Sequence, residues 1–427
     1  MTTIWTGKAL NMEQLTDKVY RWGIHDDTAI QQILMCTYDG RAAAGALMAD
    51  GHMGYSMPIG GVVGYRNLVS PSGVGYDIAC GNKAVRLDVK GEAVRKDIKK
   101  IMDEVFSKIS FGVGRVNDEH VEHELFEDET WNLKCITRIG ESVRGGKAGP
   151  GKLKDLAAKQ LGTVGSGNHY VDLFVDENDD VWVGVHFGSR GLGHKIATYF
   201  LVMGGGKDDI NAYPTLIEAD SDLGMDYIAC MNLAGRYAYA GRDWVCERVA
   251  KILRADIVEE IHNHHNFAWE EEHNGEKLWV VRKGATPAFP GQLGFVGGSM
   301  GDKSVILKGK DSEEAKFSLY STVHGAGRVM GRMEAKGKFK PVKDEQGNKT
   351  GAYECVREPK VKEADMMKWV RDVGVELRGA GVDESPFVYK RLHEVLDFHK
   401  ETVEVIHQLT PIGVAMASPD IRDPYKD

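Results

Sequence analysis

The residues best able to do chemistry are histidines, one cysteine and a few carboxylates set among glycines. Tyr170-Val-Asp-Leu-Phe-Val175, the acidic turn Asp176 to Asp180, and Val181-Trp-Val-Gly-Val-His-Phe187 alternate as an antiparallel hairpin does. With Val175 and Val181 flanking the turn, His169 falls opposite or nearly opposite His186 at the open end. Opposed residues hold their Cβ atoms roughly 5 Å apart, close enough for two imidazoles to share a metal ion. The plainer alternative is a pair of polar strand-end histidines. The glycine-rich surroundings, Gly165-Ser-Gly-Asn-His169 and His186-Phe-Gly-Ser-Arg-Gly-Leu-Gly193, favour the ligand reading. Asp77-Ile-Ala-Cys80 adds a carboxylate and a thiol that can face one point from a turn. A thiolate can bridge two cations, and a carboxylate beside it suits Mn²⁺ or Zn²⁺; a single Cys is otherwise a small core residue. His262, His264 and His265 are expected to close a helix, where they either complement its macrodipole or supply one further ligand. Asp50-Gly-His52 reads equally as a support for such a site and as a polar turn.

A second group of residues suits phosphate. In Val323-His-Gly-Ala-Gly-Arg328 a histidine precedes a small-residue loop and an arginine. Backbone N–H groups of such a loop can approach phosphate oxygens, and Arg can fork onto them. The histidine there could be a nucleophile at phosphorus, a general acid or a turn residue. No Gly-Lys-Ser/Thr follows, so this is not a Walker A loop. Gly297-Gly-Ser-Met-Gly301 with Ser304, and Arg190, are further candidate phosphate contacts. From Arg328 to Lys362 there are ten Lys/Arg against five Asp/Glu, a basic stretch that reads equally as an RNA-backbone contact and as a solvated excursion.

The elements that must position these groups read as follows. Glycine-punctuated Pro58-Ile-Gly-Gly-Val-Val-Gly-Tyr65 predicts strands and turns. Val94, Ile98, Ile101, Met102, Val105 and Ile109 keep helical spacing over 91–109, and a second helix is expected over 242–262 from Val245, Val249, Ile252, Leu253, Ile257 and Ile261. Asn274-Gly275 predicts a type I′ hairpin, followed by strand-like Leu278-Trp-Val-Val281. Strands and helices interleave without a regular βαβ period or a Pro/Ser-rich linker. The expectation is one compact α+β domain spanning 1–427, with mixed, mainly antiparallel sheets and flanking helices. Polar excursions are expected at about 110–158 and 331–363, the first a candidate cover for the site.

Composition bounds the possibilities. A chain of 427 residues, 42% hydrophobic and 27% charged, can bury a large core. A net charge of −9 excludes a globally basic nucleic-acid coat but not a basic groove. No apolar run approaches the roughly 20 residues of a membrane span, and Met1 to Asn11 has no signal-like apolar core. The six cysteines lack CxxC spacing, so neither a zinc ribbon nor a disulfide framework is suggested, and a reduced cytoplasmic setting is expected.

The order of these motifs resembles the RtcB family of RNA-splicing and RNA-repair ligases. The likeness is carried by Asp50-Gly-His-Met-Gly54, Gly73 to Gly81, Leu161-Gly-Thr-Val-Gly-Ser-Gly-Asn-His169, His186 to Gly193, His265-Asn266, Arg282-Lys-Gly-Ala285, Gly298-Ser-Met-Gly301 and His324 to Arg328. The resemblance implies that His324 attacks the α-phosphate of GTP to form a histidine–GMP phosphoramidate. It implies two Mn²⁺ ions bridged by Cys80, with His169 and His186 at one and Asp77 and His265 at the other. Asn168, His169, Asp172, His265, Asn266, Gly298, Ser299, Met300, Ser304, Gly325, Ala326 and Gly327 would surround the nucleotide, and Tyr389 would stack on guanine.

In family terms a 2′,3′-cyclic phosphate end is opened to a 3′-phosphate, which takes GMP and is then joined to a 5′-hydroxyl end. An archease-like activating partner is implied as well. The sequence departs from the family pattern in three places. Met416 stands where a terminal Lys is usual, Asp172 where a Glu is usual, and Gly297 where a Pro is usual. The rival readings are a metal-dependent phosphohydrolase or an RNA 3′-end guanylyl-capping enzyme on the same scaffold, and a metal-stabilised RNA-binding protein.

Overall fold

The computed structural model describes residues 11–419 apart from 120, 144–150, 208, 345, 347 and 348. The amino-terminal stretch discussed above lies, except for Asn11, outside the described residues, as do parts of both excursions. Two sheets dominate. One has six strands in the order Met12–Thr16, Val19–Trp22, Ala42–His52, Ile59–Tyr65, Glu276–Lys283, Asn266–His273. The other runs Ile257–His264, Gly81–Lys90, Asp180–Phe187, Tyr170–Val175, Val403–Met416, Ser304–Gly309, Leu293–Val296, with Glu376–Arg378 parallel to Val403–Met416. Most pairings are antiparallel, and the fold is α+β as expected.

The helix Asp222–Leu253 lies against the larger sheet and buries Val245, Cys246 and Val249 with Val85, Val183 and Val185. Its other buried residues, among them Tyr227, Cys230 and Tyr237, join the helix Arg190–Met203 in a second core that also takes Val63, Phe267 and Val281 of the six-stranded sheet. A third core, with Val62, Val280, Val296, Leu307 and Val323, fills the space between the sheets. Seven apolar strand positions at 171–185 are almost completely buried (Val171, Leu173, Phe174, Val181, Trp182, Val183, Val185), and each exposes 1% or less. At roughly 25 cal/mol per Å² of apolar area removed from water, burial on this scale holds the sheet beside the site rigid.

The predicted hairpins are present. Tyr170 pairs with His186 and Val175 with Val181, so His169 stands one residue beyond the paired end. His273 pairs with Glu276 across Asn274-Gly275, both at positive φ as a type I′ turn requires. Two helix expectations need correction. The stretch 91–109 is two helices, Gly91–Lys96 and Ile98–Lys108, broken at Asp97. The helix expected over 242–262 begins at Asp222, where Ser221 caps it by accepting from Gly224 N, and stops at Leu253 with Arg254 in the left-handed region. Ile257–His264 is instead a strand paired with Gly81–Lys90. A spacing of four residues is about one helical turn and also two strand repeats, so Ile257 and Ile261 satisfied both patterns.

Candidate functional site

A cavity of about 550 Å³ opens where the two sheets meet. His265 is the residue between Ile257–His264 of one sheet and Asn266–His273 of the other. Asp50 and His52 come from the end of Ala42–His52; Tyr170, Asp172 and His186 come from the larger sheet; and His324 follows the short strand Ser321–Val323. The site is therefore assembled from strand ends, held by the cores on either side.

On the cavity floor Cys80 is shared by two groups of potential ligands. The ligand atoms of Cys80, His186 and His265 lie within 4.8 Å of one another, as do those of Asp77, Cys80 and His169. Cys80 Sγ is 3.5 Å from His186 Nε2 and 3.6 Å from His169 Nε2, and His169 Nε2 is 3.0 Å from Asp77 Oδ2. Ligands about 2.0–2.3 Å from one ion lie roughly 3–4 Å apart, so the spacing fits a divalent cation in each group. His186 Nδ1 donates to Asn82 Oδ1 at 2.6 Å, which leaves the Nε2 lone pair facing Cys80. The Asn82 amide is oriented in turn by donating to the Phe295 carbonyl at 2.9 Å. Nδ1 of both His169 and His265 is buried without a protein partner.

The electrostatics agree with a site for cations. Burial holds the His186 and His265 imidazoles well below their ordinary pKa, so both present lone pairs at neutral pH. Burial opposes ionisation of Asp77, but the contacts with His169 outweigh it and the net shift is downward. Burial and then the Asp77 charge push the Cys80 thiol well up, a penalty that a bound cation would reverse.

No sequence motif points to the clamp behind this floor. Arg242, fully buried on the long helix, donates Nη1 to the Ala79 carbonyl at 3.0 Å and to the Phe187 carbonyl at 2.5 Å. Its Nε donates to His262 Nε2 at 2.7 Å, and its Nη2 lies 2.9 Å from His264 Nδ1. One guanidinium thus ties the residues next to Cys80, His186 and His265. Of the three neighbouring histidines only His265 lines the cavity. His262 and His264 belong to the strand face turned to Arg242 and Tyr239, so they close no helix.

His324 stands beside the floor, its ring 4.9 Å from that of His265. The wholly buried Asp50 lies with Oδ2 2.6 Å from His324 Nδ1, a close contact short of an aligned hydrogen bond. The same oxygen accepts from the backbone N–H of His324 at 3.0 Å and of Gly325 at 3.2 Å. Burial works to raise the Asp50 carboxyl, and His324 outweighs it, so the net shift is downward. Gly284, at positive φ, packs against the ring; a Cβ there would sit 3.0 Å from His324 Cε1.

The expected residues gather well, with two exceptions. Asp77, Cys80, Asn168, His169, Asp172, His186, His265, Asn266, Gly298, Ser299, Met300, His324, Gly325, Ala326, Gly327 and Tyr389 all line the cavity. Ser304 does not: it is buried, and its Oγ accepts from Gly298 N at 3.0 Å, so it shapes the loop from behind. Arg190 is also absent from the lining and donates to the Gly112 carbonyl at 2.8 Å. No described residue of 110–158 lines the cavity; Phe126, Trp131 and Ile136 of this excursion pack into the core beside the long helix. Gly331, Arg332 and Glu334 of the second excursion do reach the cavity wall.

The three departures from the family pattern meet on one wall. Tyr170 and Asp172 share a strand face and pair with Met416 and Val414, and all four line the cavity. Gly297 gives room to the Tyr170 hydroxyl, which occupies the space a Cβ would need. The Tyr170 hydroxyl and Asp172 Oδ1 are buried without partners, and burial raises the Asp172 carboxyl well above its ordinary pKa. Tyr389 carries Arg328 over its ring at 5.0 Å and donates its hydroxyl to Glu384.

The family model described as "tRNA-splicing ligase RtcB" matches residues 33–417. The chain is 32% identical to the RNA-splicing ligase RtcB of Escherichia coli (strain K12) over 86% of its own length and 88% of that protein. It is 32% identical to the tRNA-splicing ligase RtcB of Archaeoglobus fulgidus, covering 92% of this chain and 91% of that protein. A eukaryotic relative, RNA-splicing ligase RtcB homolog 1 of Entamoeba dispar, is 30% identical over 83% of this chain.

Proposed function

The chain belongs to the RtcB family, and we propose that it is an RNA ligase that uses GTP and two Mn²⁺ ions to join 3′-phosphate or 2′,3′-cyclic phosphate ends to 5′-hydroxyl ends, in RNA repair or tRNA splicing. The observation that carries the reading is His324, held by buried Asp50 directly beside two ligand groups that share Cys80.

In this reading Asp77, Cys80 and His169 would hold one ion and Cys80, His186 and His265 the other, a grouping that the spacing supports in place of the expected pairing of His169 with His186 and of Asp77 with His265. Divalent cations bound there would supply neutralisation of the triphosphate charge beside His324. Asp50 keeps the His324 proton on Nδ1, so the opposite nitrogen carries the lone pair. Nε2 attacks the α-phosphorus of GTP; an N–P bond forms, the bond to pyrophosphate breaks, and pyrophosphate leaves. An oxygen of the RNA 3′-phosphate then attacks the same phosphorus, which frees His324 and leaves the RNA end as a mixed anhydride. The 5′-hydroxyl oxygen attacks the RNA phosphorus, its proton passes to solvent, and GMP departs. Backbone N–H groups of Ala326 and Gly327 and of Ser299 and Met300 cradle phosphate oxygens. Asp172 faces the base, with Tyr389 beside it. No helix among the described residues is long and apolar enough to cross a membrane, and a cytoplasmic role with an archease-like activator is part of the proposal.

Intact-mass analysis after incubation with GTP and Mn²⁺ tests this. A GMP adduct is expected, and it should vanish in His324→Ala. No adduct with any divalent metal would sink the proposal in favour of a phosphohydrolase. An adduct and 3′-end guanylylation without joining of a cyclic-phosphate RNA to a 5′-hydroxyl RNA would mark a capping enzyme, the outcome that Met416 and Asp172 make worth measuring.

A further inference from the structure

Next to the nucleotide cavity lies a second hollow, of about 510 Å³, that the reaction above does not use. Lys360, Lys362, Lys368, Trp369 and Phe387 line it, with Asp365 and Asp372 tempering the positive charge. The two spaces share walls. Lys360 reaches Glu334 on the cavity lining. Trp369 packs its indole Nε1 against Gly301, next to the phosphate-cradling loop. Phe387 belongs to the turn Pro386–Val388, which runs directly into Tyr389 on the cavity wall.

The side chains of this hollow are those that hold a single strand. Arg391 covers one face of the Trp369 indole at 4.4 Å, and Phe387 meets it edge-on and is 40% exposed. Bases stack on such aromatic surfaces whatever their sequence, while lysines follow the backbone. Lys362 has no salt bridge among the described residues. The pairs Lys360–Glu334 and Lys368–Asp372 are solvent-exposed, so they are weak and can be redirected to phosphate. Lys338 and Lys340 have no salt bridge among the described residues either, and stand on a two-stranded ribbon, Lys338–Lys343 with Lys349–Arg357, that springs from the same rim.

Resting on the ligase reading, we propose that this hollow is the track for the single-stranded RNA whose 3′-phosphate end enters the cavity. Trp369 and Phe387 stack on its bases, and Lys360, Lys362 and Lys368 take its phosphates. This strand must stay in place through both guanylylation of its end and sealing, which gives it the greater need of a grip outside the cavity.

The test compares wild type with Lys362→Glu and Phe387→Ala, both surface changes that the fold tolerates, each with GTP and Mn²⁺. A single-stranded RNA ending in 3′-phosphate is titrated at several salt concentrations, and transfer of GMP to that RNA is followed without a 5′-hydroxyl partner. Affinity should fall about 5- to 50-fold in each variant. Lys362→Glu should also flatten the slope of log K against log salt by about one. His324 guanylylation, which needs no RNA, should match wild type, because neither residue lines the nucleotide cavity. Wild-type affinity in both variants overturns the proposal. So does a defect confined to sealing, which would assign the hollow to the 5′-hydroxyl strand. So does unchanged RNA binding with lost binding of an acidic protein partner. A wild-type protein that forms no His324 adduct instead refutes the ligase reading itself.

Discussion

The floor of the cavity and its rim use similar residue types under opposite physical rules. On the floor, polar atoms are buried and turned inward with nothing to satisfy them: Nδ1 of His169 and His265, Asp50 Oδ1, the Tyr170 hydroxyl and Asp172 Oδ1. Each such atom costs the folded state about 1–3 kcal/mol, a cost that selection tolerates where a ligand is to be met. On the rim, charges satisfy one another. Arg328 and Arg332 contact Glu384, Arg332 and Lys336 contact Asp383, and Lys360 contacts Glu334. The difference teaches that the floor is preorganised for bound cations and nucleotide, whereas the rim pairs its own charges, firmly at buried Asp383 and Glu384 and loosely at exposed Lys360–Glu334.

The sharpest way to break the contrast is to remove the atom that both ligand groups share. Cys80→Ala should abolish two-site Mn²⁺ binding and lower the rate of His324 guanylylation by about 10³-fold or more, since metal polarisation contributes several kcal/mol. Metal stoichiometry from equilibrium dialysis, read beside the mass adduct, checks it. Two ions still bound in the variant would show that the groups around Cys80 are not the metal sites.

Asp50→Asn probes the next level. The amide keeps the volume and can still accept from the His324 and Gly325 N–H groups, but it loses the charge facing Nδ1. Guanylylation is expected to slow by about 10²-fold, within the usual span for a lost proton-holding group, with Mn²⁺ affinity unchanged. If metal binding fell in parallel, Asp50 would belong to the structural support of the floor rather than to His324.

Arg242→Lys asks how far the preorganisation depends on one clamp. A lysine cannot reach the Ala79 and Phe187 carbonyls and both imidazoles from one plane. Metal affinity should drop by about 10- to 100-fold, as when other supports of metal ligands are removed. The thiolate–metal absorption of the Co²⁺-substituted protein would report this independently of activity. An unaltered Co²⁺ spectrum with only a lower Tm would reduce Arg242 to a core residue.

The sequence disclosed the parts of the site that obey short-range rules. The hairpin register followed from alternation at Tyr170–Val175 and Asp180–Phe187, so His169 and His186 came together on paper. Ordered motifs then brought Cys80, His265 and His324 to one cavity. What stayed hidden depends on packing between distant segments. Arg242 reads as one polar position in a helix, and nothing local says that it crosses to two other segments. Ile257 and Ile261 fit two periodicities, so only pairing with Gly81–Lys90 decides between them. Ser304 and Arg190 carried plausible chemistry but do not line the cavity, because side-chain direction is set by neighbours that the sequence does not reveal.

The smallest predicted effect concerns stability. Asp172 is a floor carboxylate whose pKa burial raises well above the ordinary value, with only the Ala415 backbone acting against the shift. In the unfolded chain it ionises near about pH 4. Between that value and its raised folded value the native state keeps a proton that the unfolded chain has released. Native stability therefore falls as pH rises through this window and stays lower above it. Asp172→Asn carries no such proton, so the metal-free, nucleotide-free variant should gain about 1 kcal/mol over wild type at pH 8, and the gain should shrink toward pH 4. Urea unfolding at both pH values measures it. A gain that does not change with pH would mean that the folded protein already supplies Asp172 with a partner, and Asp172 would then leave the group of floor atoms held open for a ligand.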